Sequence, residues 1–191
     1  MTFPNVLTLS RLFLAFLLWP LLLWDSIGSK LLALLIFILA SLTDLFDGLI
    51  ARRRHTTSIF GAIMDPIADK VLILSALISF VGLGIVPLWA VLVISIREIA
   101  ITFLRLWLMH RGVVLPAELA GKQKTVSQII TILYILTFMN VKSLSLHYFS
   151  YWPQGLELFF RQSSLFLVLT ATTFTLISGF SYFRDLSQST R

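Results

Sequence analysis

Residues 43–70 read TDLFDGLIARRRHTTSIFGAIMDPIADK, in which four aspartates recur at helical spacings. Asp44 and Asp47 are three positions apart, and Asp65 and Asp69 are four positions apart. Because residues three or four positions apart share a helix face, each pair presents two carboxylates to the same side. We expect the two pairs to belong to consecutive helices that face one another.

Residues with almost no side chain continue the same two faces. Gly48 and Ala51 follow the first pair and Gly61 precedes the second, which lets a ligand or a neighbouring helix approach the backbone closely. The segment Arg53–Ser58 between the pairs is short, basic and polar. It predicts a turn that makes the two helices antiparallel neighbours, so that the four carboxylates converge.

Four like charges in one site repel strongly unless cations neutralise them. Oxygen ligands without nearby His or Cys favour magnesium, manganese or calcium over zinc. Two such ions bridged by carboxylates can clamp a diphosphate for in-line displacement at phosphorus. The alternative is that the aspartates only cap helices and pair with Arg52, Arg53 or Lys70. The glycines at matching spacing favour the metal site.

The composition indicates a membrane protein. Of the 191 residues, 58% are hydrophobic and 13% are charged, whereas soluble domains carry roughly 25% charged residues. A spanning helix needs about 20 mostly apolar residues. Six stretches approach this length: residues 6–24, 31–51, 60–84, 87–109, 124–140 and 161–183. They predict one all-α domain over residues 1–191 with six transmembrane helices, rather than a soluble protein with buried helices.

The distribution of Lys and Arg predicts the orientation. Most basic residues follow the second, fourth and sixth stretches: Arg52, Arg53, Arg54, Arg111, Lys122, Lys124, Arg184 and Arg191. The positive-inside rule then places both termini and the aspartates on the cytoplasmic side of the cell's inner membrane. Residues 140–161, with Tyr148, Tyr151 and Trp152, are typical of an outer interfacial segment with aromatic anchors.

Other features exclude several classes of function. The chain has no cysteine, which rules out disulfides, Cys-ligated zinc and thiolate catalysis. Its net charge of +6 comes from residues between or inside the apolar stretches, so we expect no nucleic-acid partner. The first apolar stretch lacks a basic leader and a small-residue cleavage site, and we expect it to be a span rather than a signal peptide.

The aspartate region resembles the CDP-alcohol phosphotransferase family, whose pattern is D-x2-D-G-x2-A-R-x8-G-x3-D-x3-D. All eight fixed positions are matched, by Asp44, Asp47, Gly48, Ala51, Arg52, Gly61, Asp65 and Asp69. The resemblance covers roughly residues 3–130 and implies a fold of six transmembrane helices. It also implies CDP-diacylglycerol as the donor substrate, contact with membrane lipids, and a possible homodimer.

The resemblance implies roles for single residues. Asp44, Asp47 and Asp65 would hold two Mg²⁺ or Mn²⁺ ions, and Asp69 would contribute a ligand and act as general base on the acceptor hydroxyl. The remaining matched positions would serve the CDP-diacylglycerol: Gly48 and Ala51 leave room for the nucleotide, Arg52 contacts the diphosphate, and Gly61 lets the third helix approach. Asn5 and Thr8 in the N-terminal segment would join this site.

A third polar group lies in the fourth and fifth apolar stretches. Arg97 and Glu98 are adjacent, and Arg105 lies within about 80° of Arg97 around a helix. Lys122 and Lys124 open the fifth stretch, and Glu98 could pair with a Lys or an Arg. Charges inside a span are costly and are functional hypotheses by default. The four basic residues suit an anionic acceptor's phosphate, although Lys122 and Lys124 could serve topology alone.

Within the family, this third group resembles the phosphatidylglycerophosphate synthases, whose acceptor is sn-glycerol 3-phosphate. Other acceptors stay open: an inositol phosphate, phosphatidylglycerol or serine. A cation transporter with intramembrane aspartates is a more distant alternative. It is disfavoured because the carboxylates lie at one edge of the membrane and the chain has no duplicated halves.

Overall fold

The computed structural model describes the backbone of residues 3–54, 59–111 and 119–189, and the side chains of residues 9–43, 67–104, 107, 108, 111 and 122–182. Within these ranges the chain is all-α, as expected. Its six helices are α1 (Phe3–Leu23), α2 (Ile27–Arg54), α3 (Ile59–Gly82), α4 (Leu88–His110), α5 (Leu119–Phe149) and α6 (Gln154–Ser189).

The last two helices are longer than the apolar stretches that predicted them. α5 continues to Phe149 and α6 begins at Gln154, so only residues 150–153 separate them. Ser150 has φ 51°, a left-handed conformation that ends α5. The helices extend because the polar residues of this region pair with one another: Lys142 and Arg161 both bind Glu157. Most of the expected interfacial segment is therefore helical.

Helix α1 packs against both α2 and α3, whereas the direct contact between α2 and α3 is small within the described residues. Three of the four aspartates that these two helices carry have side chains outside those described, so the expected convergence of the four carboxylates stays a prediction. α5 packs against α2 and α6, and α4 packs between α3 and α6. Because each connection is short, successive helices run in opposite directions, and the C-terminal part of α2 lies at the same end of the bundle as the start of α3.

Small residues and buried hydrogen bonds hold the helices together. Ala15 and Ala76 are fully buried where α1 meets α3, and the Ser75 hydroxyl donates to the Ala15 carbonyl oxygen over 2.6 Å. Asn140 Nδ2 donates to the Lys30 carbonyl oxygen over 3.1 Å, which joins α5 to α2. Close backbone approach and interhelical hydrogen bonds are the usual means of helix association in membranes.

The surface is consistent with a membrane protein. Two helical segments are long and apolar enough to cross a bilayer within the described residues, Lys122–Phe149 and Gln154–Tyr182, and two shorter apolar segments occur in α1 and α2. Large apolar side chains are widely exposed, among them Phe13, Phe16, Phe103, Phe166 and Phe180. Exposed apolar area on this scale is unusual for a soluble monomer and suits contact with lipid.

Candidate active site

The backbone carries the four aspartates on two continuous helices. α2 is helical through Asp44 and Asp47, and α3 is helical through Asp65 and Asp69, so each pair has the expected helical spacing. α2 ends only at Arg54, so the predicted turn begins later than Arg53, and residues 55–58 lie outside the described residues.

Most of the predicted CDP-diacylglycerol and metal site lies outside the part of the chain with described side chains. These positions belong to α1, α2 and α3: Asn5, Thr8, Asp44, Asp47, Gly48, Ala51, Arg52, Gly61 and Asp65. Their roles stay predictions.

The side chain of Asp69 is within the described part of the chain, and it forms a salt bridge with a residue of α1. The Arg11 guanidinium nitrogen Nη1 lies 3.0 Å from Asp69 Oδ1, and the Arg11 side chain is only 3% exposed. A hydrogen bond between two charged groups is stronger than one between neutral groups and fixes the carboxylate's orientation. Asp69 remains about one-third exposed, so a substrate can reach it.

A buried carboxylate, Glu98, gathers cations from three helices. Its side chain is 2% exposed, and its Oε2 lies 2.7 Å from Lys70 Nζ of α3. Its Oε1 lies 3.2 Å from Nη1 of Arg97 of α4 and also accepts a hydrogen bond from Lys124 Nζ of α5. The expectation that Glu98 pairs with a Lys or an Arg is confirmed. We call these four residues the Glu98 cluster.

The Glu98 cluster holds more positive than negative charge. Three cations and one carboxylate give a net charge of +2. Taking charges out of water costs several kcal/mol per ion, so such groups require close partners. Arg97 gains another partner on α6, because its Nη2 donates to Ser178 Oγ over 2.7 Å. A Cβ added at Gly179 would lie 3.5 Å from Arg97 Cγ, so this arginine packs against α6.

The structure brings together two of the four basic residues predicted to bind the acceptor phosphate. Arg97 and Lys124 both belong to the Glu98 cluster. Lys122 is exposed and is not a member of the Glu98 cluster, and the Arg105 side chain lies outside those described.

Sequence reasoning missed Lys70 as a member of this cluster. Lys70 follows Asp69 directly, and consecutive residues on a helix are rotated by about 100°. Asp69 therefore contacts α1 while Lys70 contacts Glu98 of α4. The signal available in the sequence was the positive charge of Lys70 directly after Asp69. As a result, the cationic cluster adjoins the residue predicted to be the general base.

The donor set fits hard divalent cations. Among the described side chains no three His, Asp or Glu residues come together, and three of the four predicted ligands lie outside those side chains. The candidate ligands offer only carboxylate oxygens, from i,i+3 and i,i+4 positions on continuous helices. Oxygen-only sets of this kind suit Mg²⁺ or Mn²⁺.

Comparison with known proteins gives the family. A family model described as CDP-alcohol phosphatidyltransferase matches residues 1–178. The chain belongs to this family. The match extends beyond residue 130, the end of the resemblance seen in the sequence, and so includes α5 and most of α6.

Curated relatives of the chain carry closely related names. A CDP-diacylglycerol--glycerol-3-phosphate 3-phosphatidyltransferase of Bacillus subtilis is 39% identical over 149 residues, which are 78% of this chain and 70% of the relative. A protein of the same name from Rickettsia bellii is 30% identical over 182 residues, 95% of this chain and 93% of the relative. A probable phosphatidylglycerophosphate synthase of Mycobacterium tuberculosis is 46% identical over 110 residues, 57% of this chain and 52% of the relative.

Proposed function

We propose that this chain transfers the phosphatidyl group of CDP-diacylglycerol to sn-glycerol 3-phosphate, giving phosphatidylglycerophosphate and CMP. The names of the relatives support this reaction. The observation that carries the choice of acceptor is the Glu98 cluster, whose net charge of +2 adjoins Asp69. A phosphate dianion can neutralise that charge, whereas serine or free glycerol would leave it unbalanced.

In this reaction Asp69 accepts the proton of the acceptor's hydroxyl group. The resulting oxygen nucleophile attacks the phosphorus that bears the diacylglycerol, and the bond from that phosphorus to the oxygen of CMP breaks. Arg11 holds Asp69 in one orientation through the 3.0 Å contact, which supports proton transfer in a fixed geometry.

Divalent cations are part of the proposal. Asp44, Asp47, Asp65 and Asp69 would hold two Mg²⁺ or Mn²⁺ ions, which when bound supply positive charge to the diphosphate and to the departing CMP. The other matched positions would bind CDP-diacylglycerol, as the family pattern implies: Asn5, Thr8, Gly48, Ala51, Arg52 and Gly61.

The acceptor's phosphate would be bound by Arg97 and Lys124 together with Lys70. These three cations share Glu98, so their charges are held close to one another. Lys122, which is exposed, and Arg105 would complete the binding from the ends of α5 and α4.

We also propose that the chain is a multi-pass protein of the cell's inner membrane with this site facing the cytoplasm. The support is the exposed apolar surface and the concentration of Lys and Arg at one end of the helices. A single domain over residues 1–191 and a homodimer stay expectations.

An activity assay with a panel of acceptors, each supplied separately, tests the function. The purified protein is given radiolabelled CDP-diacylglycerol with sn-glycerol 3-phosphate, inositol phosphate, phosphatidylglycerol, serine or free glycerol. We expect labelled phosphatidylglycerophosphate from the first and little product from glycerol, which lacks the phosphate. Preferred transfer to another acceptor would contradict the assignment while retaining the chemistry, and no transfer to any acceptor would contradict both.

Variants then locate the acceptor. Glutamine at each of the five basic positions is compared: Lys70→Gln, Arg97→Gln, Arg105→Gln, Lys122→Gln and Lys124→Gln. A charged hydrogen bond contributes about 1.5–3 kcal/mol, so a lost contact should raise the KM for sn-glycerol 3-phosphate about ten- to a hundredfold. The KM for CDP-diacylglycerol should hardly change. Two results would contradict this assignment: all five variants change only the KM for CDP-diacylglycerol, or no variant changes the KM of either substrate. The basic residues would then serve only to orient the protein in the membrane.

A further inference from the structure

A cavity of about 500 Å³ lies at the end of the bundle opposite to the aspartates. Three connections meet around it: residues 24–26 between α1 and α2, residues 83–87 between α3 and α4, and residues 150–153 between α5 and α6. The facing turns of α5 and α6 form one wall, and Leu22, Leu23 and the segment 83–85 form another. None of these residues belongs to the proposed transfer site.

The polar lining has an excess of positive charge. Lys30, Lys142 and Arg161 line the cavity together with Asp25 and Glu157, which gives a net charge of +1. Lys30 Nζ lies 2.6 Å from Asp25 Oδ1 and 2.9 Å from Ser143 Oγ.

In the wall formed by α5 and α6, Glu157 pairs with two cations. Its Oε2 lies 2.7 Å from Lys142 Nζ, and its Oε1 lies 3.2 Å from Arg161 Nε. One carboxylate is thus shared by two cations. This leaves positive charge available to a further anion at the α5–α6 wall.

Aromatic packing fixes this wall in place. Phe160, which lines the cavity, stacks on Phe138 with ring centroids 4.5 Å apart. Phe138 in turn meets the edge of Trp152 at 5.6 Å, and Trp152 Nε1 donates to Glu157 Oε2 over 3.0 Å. The apolar wall and the charged groups therefore belong to one packed unit, as expected of a largely preformed ligand site.

The surroundings point to a lipid rather than a soluble molecule. Trp24, Tyr148 and Tyr151 are exposed at the same end of the bundle, and exposed Trp and Tyr mark the headgroup level of a bilayer. The cavity combines cations with an apolar lining that includes Leu22, Met139 and Phe160. Such a combination matches a phosphate headgroup continued by an acyl chain.

We propose that this cavity binds one anionic phospholipid, with the headgroup phosphate at Lys142 and Arg161 and the start of an acyl chain against the apolar wall. The net positive lining favours a headgroup with net negative charge over a zwitterionic one. The site is at the opposite end of the bundle from Asp69, so this lipid is neither the donor nor the acceptor of the transfer reaction.

Lipid retention measured by native mass spectrometry tests the proposal without any turnover. The full chain is purified in detergent and mixed with phosphatidylglycerol or phosphatidylcholine. Lys142→Gln/Arg161→Gln removes the cations at the wall, and Arg111→Gln removes one exposed cation at the other end as the control. Lys142→Gln alone serves if the double variant does not fold, because this side chain is 36% exposed.

We expect the wild-type protein and Arg111→Gln to retain phosphatidylglycerol in preference to phosphatidylcholine. The double variant should bind phosphatidylglycerol about tenfold more weakly, the effect of losing charged hydrogen bonds. Equal retention of the two lipids by the wild type, or equal phosphatidylglycerol binding by wild type and double variant, would overturn the proposal. Displacement of the lipid by inorganic phosphate alone would assign the site to a free anion instead.

Discussion

Arg11 and Asp69 are 58 positions apart, yet their side chains meet at 3.0 Å between Nη1 and Oδ1 where α1 packs on α3. The arginine is almost fully buried and the carboxylate is partly exposed. The contact therefore fixes the carboxylate of the proposed general base from its buried side and leaves that carboxylate accessible to substrate. This relationship gives α1 a part in the chemistry besides its apolar packing.

Replacing Arg11 should impair the chemical step. We expect Arg11→Gln to lower kcat about tenfold to a hundredfold, because a misoriented catalytic group can cost two orders of magnitude. Arg11→Lys, which retains the charge, should recover part of the loss. Steady-state kinetics with both substrates measures this. A rise in both KM values at unchanged kcat would mean that Arg11 binds substrate rather than positioning Asp69.

Asp69→Asn should abolish transfer while the protein still binds CDP-diacylglycerol and metal. The amide cannot accept the acceptor's proton, but the other three aspartates remain. Asp44→Asn is the matched comparison and should weaken metal binding as well. Turnover is measured alongside Mn²⁺ binding by electron paramagnetic resonance. Near wild-type turnover in Asp69→Asn would place the base elsewhere.

Removing divalent metal should stop the reaction. Four carboxylates in one site need cations to offset their repulsion, and oxygen donors suit Mg²⁺ or Mn²⁺. Activity should vanish in excess EDTA and return when either ion is added. Zn²⁺ is the control and should restore less activity. Full turnover in the stripped protein would refute the two-metal mechanism.

Glu98→Gln should weaken binding of the acceptor and leave binding of the donor unchanged. Without the carboxylate the three cations repel one another and lose their common position, and we expect the KM for sn-glycerol 3-phosphate to rise about tenfold. Glu157→Gln is a matched control, because Glu157 also joins two cations but lies at the opposite end of the bundle. Equal kinetic effects from the two variants would indicate general destabilisation.

The lack of cysteine makes the orientation straightforward to test. A single cysteine is placed at each end of the bundle, in Tyr151→Cys and in Arg111→Cys, both at exposed positions. In intact spheroplasts an impermeant maleimide should label Tyr151→Cys, and Arg111→Cys should react only after permeabilisation. The reverse labelling pattern would mean that the protein has the opposite orientation in the membrane.

The sequence predicts the elements of this fold well and their packing less well. Six helices follow from the apolar stretches, and the pairing of Glu98 follows from charges within one span and the start of the next. The fifth apolar stretch stops at residue 140 and the sixth begins at residue 161, whereas α5 continues to Phe149 and α6 already begins at Gln154. Glu157 pairs with both Lys142 and Arg161 in these added turns, a contact that hydropathy does not reveal.

Long-range partners could not be read from spacing. Arg11 is not among the predicted site residues, and its contact with Asp69 depends on α1 packing against α3. Lys70 was noted as a charge near the aspartates, but its contact with Glu98 depends on the packing of α3 against α4. Helical periodicity gives the face on which a residue lies, but not which helix covers that face.

The packing of α1 against both α2 and α3 also bears on how the chain is assembled during synthesis. Chains are made from the N-terminus at about 5–20 residues per second, and N-terminal units generally fold first. α3 ends at Gly82, less than halfway along the 191 residues. Arg11 and Asp69 therefore both leave the ribosome before Glu98 or Lys124 does. Lys70 must wait for its buried partner until α4 has been inserted.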